Sequence, residues 1–397
     1  MTKMLAEAGY TCGLSGKLHL SACHPSVCEA TERRIDDGYS ELHWSHHAGG
    51  GWGEKNEYWA WLRRKGSEFS TQEHPDSHHV RIGMPEELHQ TTWCTEMAQS
   101  FIADHAADSG PWLFSVNMFD PHHGFDPPEE YLQRYMGAIG SVPLPDYREG
   151  ELADKPVYQR IDHRGAYGGG AGFGFDEMSD TDHRIVRASY WAMCDLIDAQ
   201  VGRLISVLDA TGQRENTLIV FTSDHGEMLG DHGIYLKGPY FYESAIRVPL
   251  IISLPGAVDP RTDQALVELT DLAPTILEAA GIPVAPGMQG RSLWYRLIGK
   301  DRGGEHREDV YCEYYNAMPW HRDPTPQMTM IRTDRYKIVV DHSTGDGELY
   351  DLQEDPGEHH NLWMETEARN VKGDMLLRLT NCMAWTVDPL PERQSAW

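Results

Sequence analysis

Helical and strand-like stretches alternate along most of this chain, and that alternation constrains its fold more than any other feature. Pro85 opens a predicted helix running to about Ala107, and the buried-strand run Trp112–Val116 follows. From Ile185 to Leu208 the apolar residues Met193, Ile197, Val201, Leu204, Ile205 and Leu208 recur at helical spacing. Gly212 stops that helix, and Thr217–Thr222 is rich in β-branched residues, as a strand should be. Val248 to Leu254 reads as another strand, and Asp271 to Ala280 as another helix ending at Gly281. At the start, Thr2 to Ala8 reads as the last turns of an amphipathic helix, and Tyr10 to Leu14 as a short strand. The predicted fold class is α/β, a mostly parallel sheet flanked by helices.

The character changes after about Asp301. Met328 to Arg332, Arg335 to Val340 and Glu348 to Asp351 read as antiparallel strands, with a turn at Gly345-Asp346-Gly347. A closing helix over Val371 to Ala384 completes a small α+β unit. The expected domains are therefore 1–300, the α/β domain, and 301–397, an antiparallel sheet plus helix. Between Tyr135 and Asp182 periodicity disappears, and the glycine run from Gly168 to Gly174 predicts a long loop.

Composition excludes several classes. The net charge of -27 argues against nucleic acid, whose phosphates need a basic face. No apolar run is long enough to span a bilayer, so no membrane insertion is expected. The 7 cysteines are odd in number and scattered, which argues against a disulfide framework.

In open α/β sheets, ligands bind at the carboxyl ends of the strands. The residues after each predicted strand are therefore the ones to read. Ser223-Asp224-His225-Gly226 follows Thr222, and an Asp beside a His at a strand end can bind one cation. The strand ending near Met118 leads to Asp120-Pro121-His122-His123, the first strand leads to Lys17 and His19, and Lys237 follows the Asp-His pair. Lysines and histidines around a metal suit an anionic tetrahedral group, with histidine available for proton transfer. Any single histidine among the 21 in this chain would be dismissed as structural. Arrival at successive strand ends is what singles these out. The expectation is that Asp224 and His225 share a metal and that Lys17, His19, His122 and Lys237 converge on the same cavity.

These motifs resemble the sulfatase family of the alkaline-phosphatase-like superfamily. Gly9-Tyr10 through Gly16-Lys17-Leu18-His19-Leu20 resembles that family's Gly-Tyr, strand, Gly-Lys-Trp-His pattern. Asp120-Pro121-His122-His123 resembles its Asp-Pro-His motif, and Phe221 to Glu227 with Arg247-Val248-Pro249 its most typical segment. Asp271-Leu272-Ala273-Pro274-Thr275, Glu348 to Leu352 and Asp355-Pro356 resemble later landmarks, in the right order. The resemblance implies a sulfuric ester hydrolase acting on a small-molecule or carbohydrate sulfate ester. It implies a divalent metal on Asp224 and His225, calcium first, with manganese or magnesium as alternatives. Lys17 and Lys237 would hold sulfate oxygens, His19 would assist the nucleophile, and His122 would protonate the leaving alcohol. Leu18 and Gly124 depart mildly from the family's usual aromatic and proline.

One departure is larger. The family's Asp-Asp ligands and its Cys-x-Pro-Ser-Arg nucleophile sequence, source of the formylglycine, precede the Gly-Lys-Trp-His motif, and here that motif stands near residue 1. Cys23-His24-Pro25-Ser26-Val27 is no substitute, because Val27 stands in the arginine's place and the segment follows Lys17. The chain is therefore expected to be truncated before the formylglycine motif and to turn over aryl sulfates at background rate. A phosphonate or phosphodiester hydrolase of the same superfamily is the close alternative, and a non-catalytic anion-binding pseudoenzyme the distant one. As written the chain reads as cytoplasmic, with a signal peptide or an oligomer left open. His46-His47, His74 and His78-His79 read as histidine-rich surface loops, since no carboxylate or cysteine sits nearby at ligand spacing.

Overall fold

The computed structural model describes residues 1–20, 35–49, 56–107, 110–300, 306–315 and 320–386. In chain order these form α1 (Thr2–Glu7), β1 (Thr11–Gly16), β2 (Glu41–Trp44), α2 (Glu57–Arg64), β3 (Gln72–His74) and β4 (Ser77–Ile82). There follow α3 (Gln90–Asp104), β5 (Trp112–Asn117), α4 (Glu129–Met136), α5 (Val157–His163), α6 (Asp180–Ala210) and β6 (Ile219–Thr222). The remainder are α7 (Glu243–Ile246), β7 (Leu250–Ser253), α8 (Leu272–Ala279), α9 (Trp294–Leu297), β8 (Val310–Tyr315), β9 (Gln327–Arg332), β10 (Tyr336–Asp341), β11 (Gly347–Asp351) and α10 (Arg369–Trp385). Among them no helix is long and apolar enough to cross a membrane.

Two compact units emerge. The first comprises residues 1–144, 178–219 and 254–256. Its sheet has the order β2-β1-β5 with all pairs parallel. Gly16 is level with Trp44 on one side and Asn117 on the other. The register therefore delivers Lys17, Ser45 and Met118 to one edge of the sheet together. Gly16 has φ +105°, and a Cβ there would come within 2.0 Å of the Asn117 carbonyl oxygen, so only glycine fits where the chain turns out. β1 is almost wholly apolar or small, with Cys12 and Leu14 fully buried, as a strand covered on both faces requires. Tyr58, Trp61, Met84, Trp93 and Cys94 form one apolar cluster of this unit, and Tyr131, Leu132, Ala188, Ala192 and Leu196 another. The 31-residue α6 begins with a reciprocal cap between Ser179 and Asp182.

The second unit comprises residues 145–177, 220–253 and 257–397. Its sheet runs β11-β10-β9-β8, antiparallel throughout. Alternation along the strands separates two apolar sets. Ile331, Ile338 and Leu349 pack with Met375 and Leu379 of α10, while Met328, Met330 and Val339 pack with Tyr158 and Phe241. β6 pairs with β7 in a separate two-stranded sheet.

The predicted loop between Tyr135 and Asp182 is a correction. It contains α5 and several 3-10 turns, and Tyr158, Gln159 and Asp162 are fully buried. Its elements are too short to show a period. The glycine run is a compact turn in which the Ala166 N–H donates to the Gly172 carbonyl at 2.7 Å and the Gly168 N–H to Asp162 Oδ1 at 2.8 Å.

Candidate functional site

In the first unit, the edge reached by β1, β2 and β5 carries a cluster of cationic and imidazole side chains. The Lys17 N–H donates to the Asn117 carbonyl at 2.8 Å, and the Asn117 side-chain amide donates back to the Lys17 carbonyl at 2.9 Å, locking the two strand exits together. The Lys17 ammonium lies 5.5 Å from the centre of the Phe119 ring. The same ring meets His47 edge-on at 4.7 Å and His122 at 4.6 Å. Phe119 is thus the hub on which Lys17, His47 and His122 gather. His19, the more exposed member, meets His46 edge-on at 4.8 Å, while the Trp44 indole donates to the Leu18 carbonyl at 3.1 Å. His47 is held below the ordinary histidine range by burial and then by the Lys17 charge, with Asp120 opposing.

Asp120 follows β5, and its buried side chain packs against the N-terminal turn of α3. It accepts from the Thr91 hydroxyl at 2.7 Å and lies 3.4 Å from His89 Nδ1. A carboxylate is favoured at a helix N-terminus, so this residue anchors the turn that presents His122. His122 Nδ1 donates to the His123 carbonyl at 2.7 Å, which leaves Nε2 as the nitrogen for proton exchange.

The second unit holds Asp224, His225 and Lys237. β6 ends at Thr222, and Gly226 then passes so close to the following segment that a Cβ would come within 2.0 Å of the Ser244 carbonyl oxygen. This pins the turn that carries the Asp-His pair. Asp224 Oδ2 and His225 Nε2 lie 3.7 Å apart, with the aspartate largely exposed. His225 Nδ1 donates to the Gly226 carbonyl at 2.8 Å, so Nε2 keeps the lone pair that a metal requires. The Lys237 ammonium lies 5.4 Å from the centre of the Tyr167 ring. Burial lifts Glu227 to about 7, although backbone N–H donors and the Lys237 charge pull the other way.

His46 and His47 are half-buried partners of this edge and not exposed loop residues. The strand-end rule would have found them, but β2 is four residues long and its alternation is too brief to notice. Glu227 carried no signal beyond its place after the Asp-His-Gly turn. The segment Cys23–Val27 lies outside the described residues.

Residues 1–282 match the family model described as Sulfatase, and residues 230–384 the one described as N-sulphoglucosamine sulphohydrolase, C-terminal. This chain belongs to the sulfatase family. It is 32% identical over 309 residues to the uncharacterized sulfatase YidJ of Escherichia coli, covering 76% of this chain but only 58% of that protein. An arylsulfatase of Clostridium perfringens is 26% identical over 397 residues, with 94% and 75% covered. Among solved structures, a phosphonate monoester hydrolase from Silicibacter pomeroyi superposes with a TM-score of 0.80 at 23% identity, over 98% of this chain and 80% of that one. The alkaline-phosphatase-like fold expected from the sequence is thereby established.

Sulfatases generally use a divalent metal, and the Asp224–His225 pair fits one. Donors 2.3–2.6 Å from a common ion and at right angles stand roughly 3.3–3.7 Å apart. The observed separation of 3.7 Å is at the edge of that range, and the ring tautomer is the required one.

Proposed function

We propose that this chain carries the metal-binding, anion-holding and proton-transfer residues of a sulfuric ester hydrolase acting on a small-molecule or carbohydrate sulfate ester. The observation that carries the reading is the Asp224–His225 pair, set at a strand end with its donor atoms 3.7 Å apart. These residues would hold the cation, calcium in this proposal, with manganese and magnesium as competitors that an imidazole ligand makes worth testing. When bound, the cation would neutralise charge on the sulfate oxygens. Lys17 and Lys237 hold sulfate oxygens as point charges. His19 assists the attacking group, and His122, with Nδ1 committed to the His123 carbonyl, gives the proton from Nε2 to the leaving alcohol.

The test is calorimetric binding of a chromogenic aryl sulfate to the full chain with calcium. Lys17→Ala and Lys237→Ala should each weaken binding by roughly 10- to 100-fold, the usual value of a charge-assisted hydrogen bond. Asp224→Ala should remove the dependence on calcium. Unchanged binding in all three variants would refute the assignment. Tighter binding of an aryl phosphonate monoester than of the sulfate would put the phosphonate hydrolase reading in its place.

A further inference from the structure

A second group of ligand-type side chains lies in the second unit and uses none of the residues assigned above. Glu151 comes from a 3-10 turn, His232 from the turn Asp231–Gly233, and His359 from the segment between β11 and α10. Their side chains are only 4%, 6% and 3% exposed. One donor atom from each lies within 4.8 Å of the others. His232 Nδ1 is 3.2 Å from Glu151 Oε1, and His359 Nε2 is 3.1 Å from Asp146 Oδ2. Both contacts are within ion-pair distance. His232 Nδ1, Glu151 Oε1 and His359 Nε2 are buried and carry no hydrogen bond among the described residues. Three buried polar atoms left unsatisfied in one small volume are costly unless something else satisfies them.

The surroundings hold the group in place. The His232 ring stacks on Tyr242 at 3.7 Å and 12°. The His232 backbone N–H donates to the Asp146 carbonyl at 2.8 Å, and the Asp146 backbone N–H donates to Asp231 Oδ1 at 2.9 Å. His232 itself sits at φ +56°, a left-handed conformation that commits the ring to this direction.

We propose that Glu151, His232 and His359, with Asp146 as the fourth donor, form a zinc site. Two imidazoles and a carboxylate suit zinc, whereas calcium asks for six or more oxygens. Glu151, His232 and His359 are nearly buried, and the exposed Asp146 closes the solvent side, so the four donors fill a tetrahedral shell and the site is structural, tying three separate segments of the unit together. His359 Nδ1 donates to Glu151 Oε2 at 2.5 Å, which fixes the ring tautomer that leaves Nε2 its lone pair for zinc. The other candidate among the described residues, His78, His79 and Asp182, lacks this character. Both Asp182 oxygens are already occupied, Oδ1 by the Ser77 hydroxyl at 2.7 Å and Oδ2 by the Ser179 N–H at 2.9 Å.

The experiment is zinc titration of the full chain after chelator treatment, with a chromophoric chelator as competitor and elemental analysis for stoichiometry. One zinc per chain is expected, with a rise in melting temperature. Glu151→Gln and His359→Ala should each weaken it by at least about 100-fold, beyond the usual effect of losing a supporting partner. His78→Ala and Asp224→Ala should retain it. Because a ligand variant can lose its fold for other reasons, cobalt is the second measurement. The wild-type chain should give the strong visible bands of a tetrahedral nitrogen–oxygen site, and a circular-dichroism-intact Glu151→Gln should not. No zinc bound by the wild type, zinc lost in Asp224→Ala, or zinc retained in both Glu151→Gln and His359→Ala would each overturn the proposal.

Discussion

Asp126 keeps its proton well above the ordinary aspartate range. Burial is the main cause and the Asp120 charge adds to it, while His89 and Arg81 pull the other way, leaving the group at about 6. A raised folded-state value means that the folded chain holds the proton more tightly than the unfolded one. The resulting stabilisation is complete below the ordinary value near 4 and is lost as pH rises through 6. Asp126→Asn should therefore be neutral near pH 4 and stabilising above pH 6, by at most about 3 kcal/mol at roughly 1.4 kcal/mol per tenfold in proton affinity. Denaturant curves across that interval measure it. An Asn variant less stable than its parent at pH 7 would mean that the ionised carboxylate is held by a partner. Gly226 is the complementary case, set by space instead of charge. Its N–H donates to the Ala245 carbonyl at 2.7 Å, and any side chain must push the turn off Ser244. Gly226→Ala should cost about 1–3 kcal/mol and abolish the calcium response proposed for the Asp-His pair, read as the melting temperature with and without calcium.

Elements were legible where they are long or uniformly apolar. β5 and α6 announce themselves through the mostly apolar stretch Trp112–Val116 and a 31-residue helix with an apolar face, and the three later strands and α10 through alternation and period. β2, β8 and α5 did not, because four to seven residues hold too few repeats of either period and much of their burial comes from neighbours distant in sequence. The same limit hid His46 and His47, which inherit their position from β2. Asp271 shows another kind of gap, since its motif was visible but its physical task was not. Fully buried at the start of α8, its carboxylate accepts from the Arg307 guanidinium, from His306 Nε2 at 3.1 Å and from the Arg291 N–H at 2.6 Å. Burial pushes this acid up, yet those donors hold it below the usual range. Its contribution is present at neutral pH and lost as pH falls through the lowered value. Asp271→Asn strands the guanidinium beside Glu268 alone and should cost about 3–5 kcal/mol at pH 7. The gap from the parent should close in acid. A thermal shift under one degree would show that Arg307 finds another partner.

At the scale of the whole molecule, the assigned chemistry is uneven. In the proposed function Lys17 and Lys237 would offer charge, His19 and His122 protons, and Asp224 with His225 two metal ligands, yet none of the six is proposed to form a bond to sulfur. Two ligands are also few for a cation that prefers six to eight. The chain of 397 residues, expressed by itself, should therefore bind an aryl sulfate with calcium but release phenolate no faster than buffer does. Oriented binding and charge alone typically accelerate a reaction by only about 10³–10⁴-fold over water, which for a slow sulfate ester falls under detection. Calcium should raise the melting temperature only at millimolar levels, whereas a closed zinc site would respond in the micromolar range or below. The decisive measurement is a paired one: aryl sulfate hydrolysis by the chain and by Asp224→Ala, each at saturating calcium. Equal, background rates agree with binding residues acting without a nucleophile. A rate well above background that disappears in Asp224→Ala would show that a bond-forming residue is present, and Cys23→Ala would be the next variant to assay, since it alone would then distinguish a cysteine-derived nucleophile from an activated water.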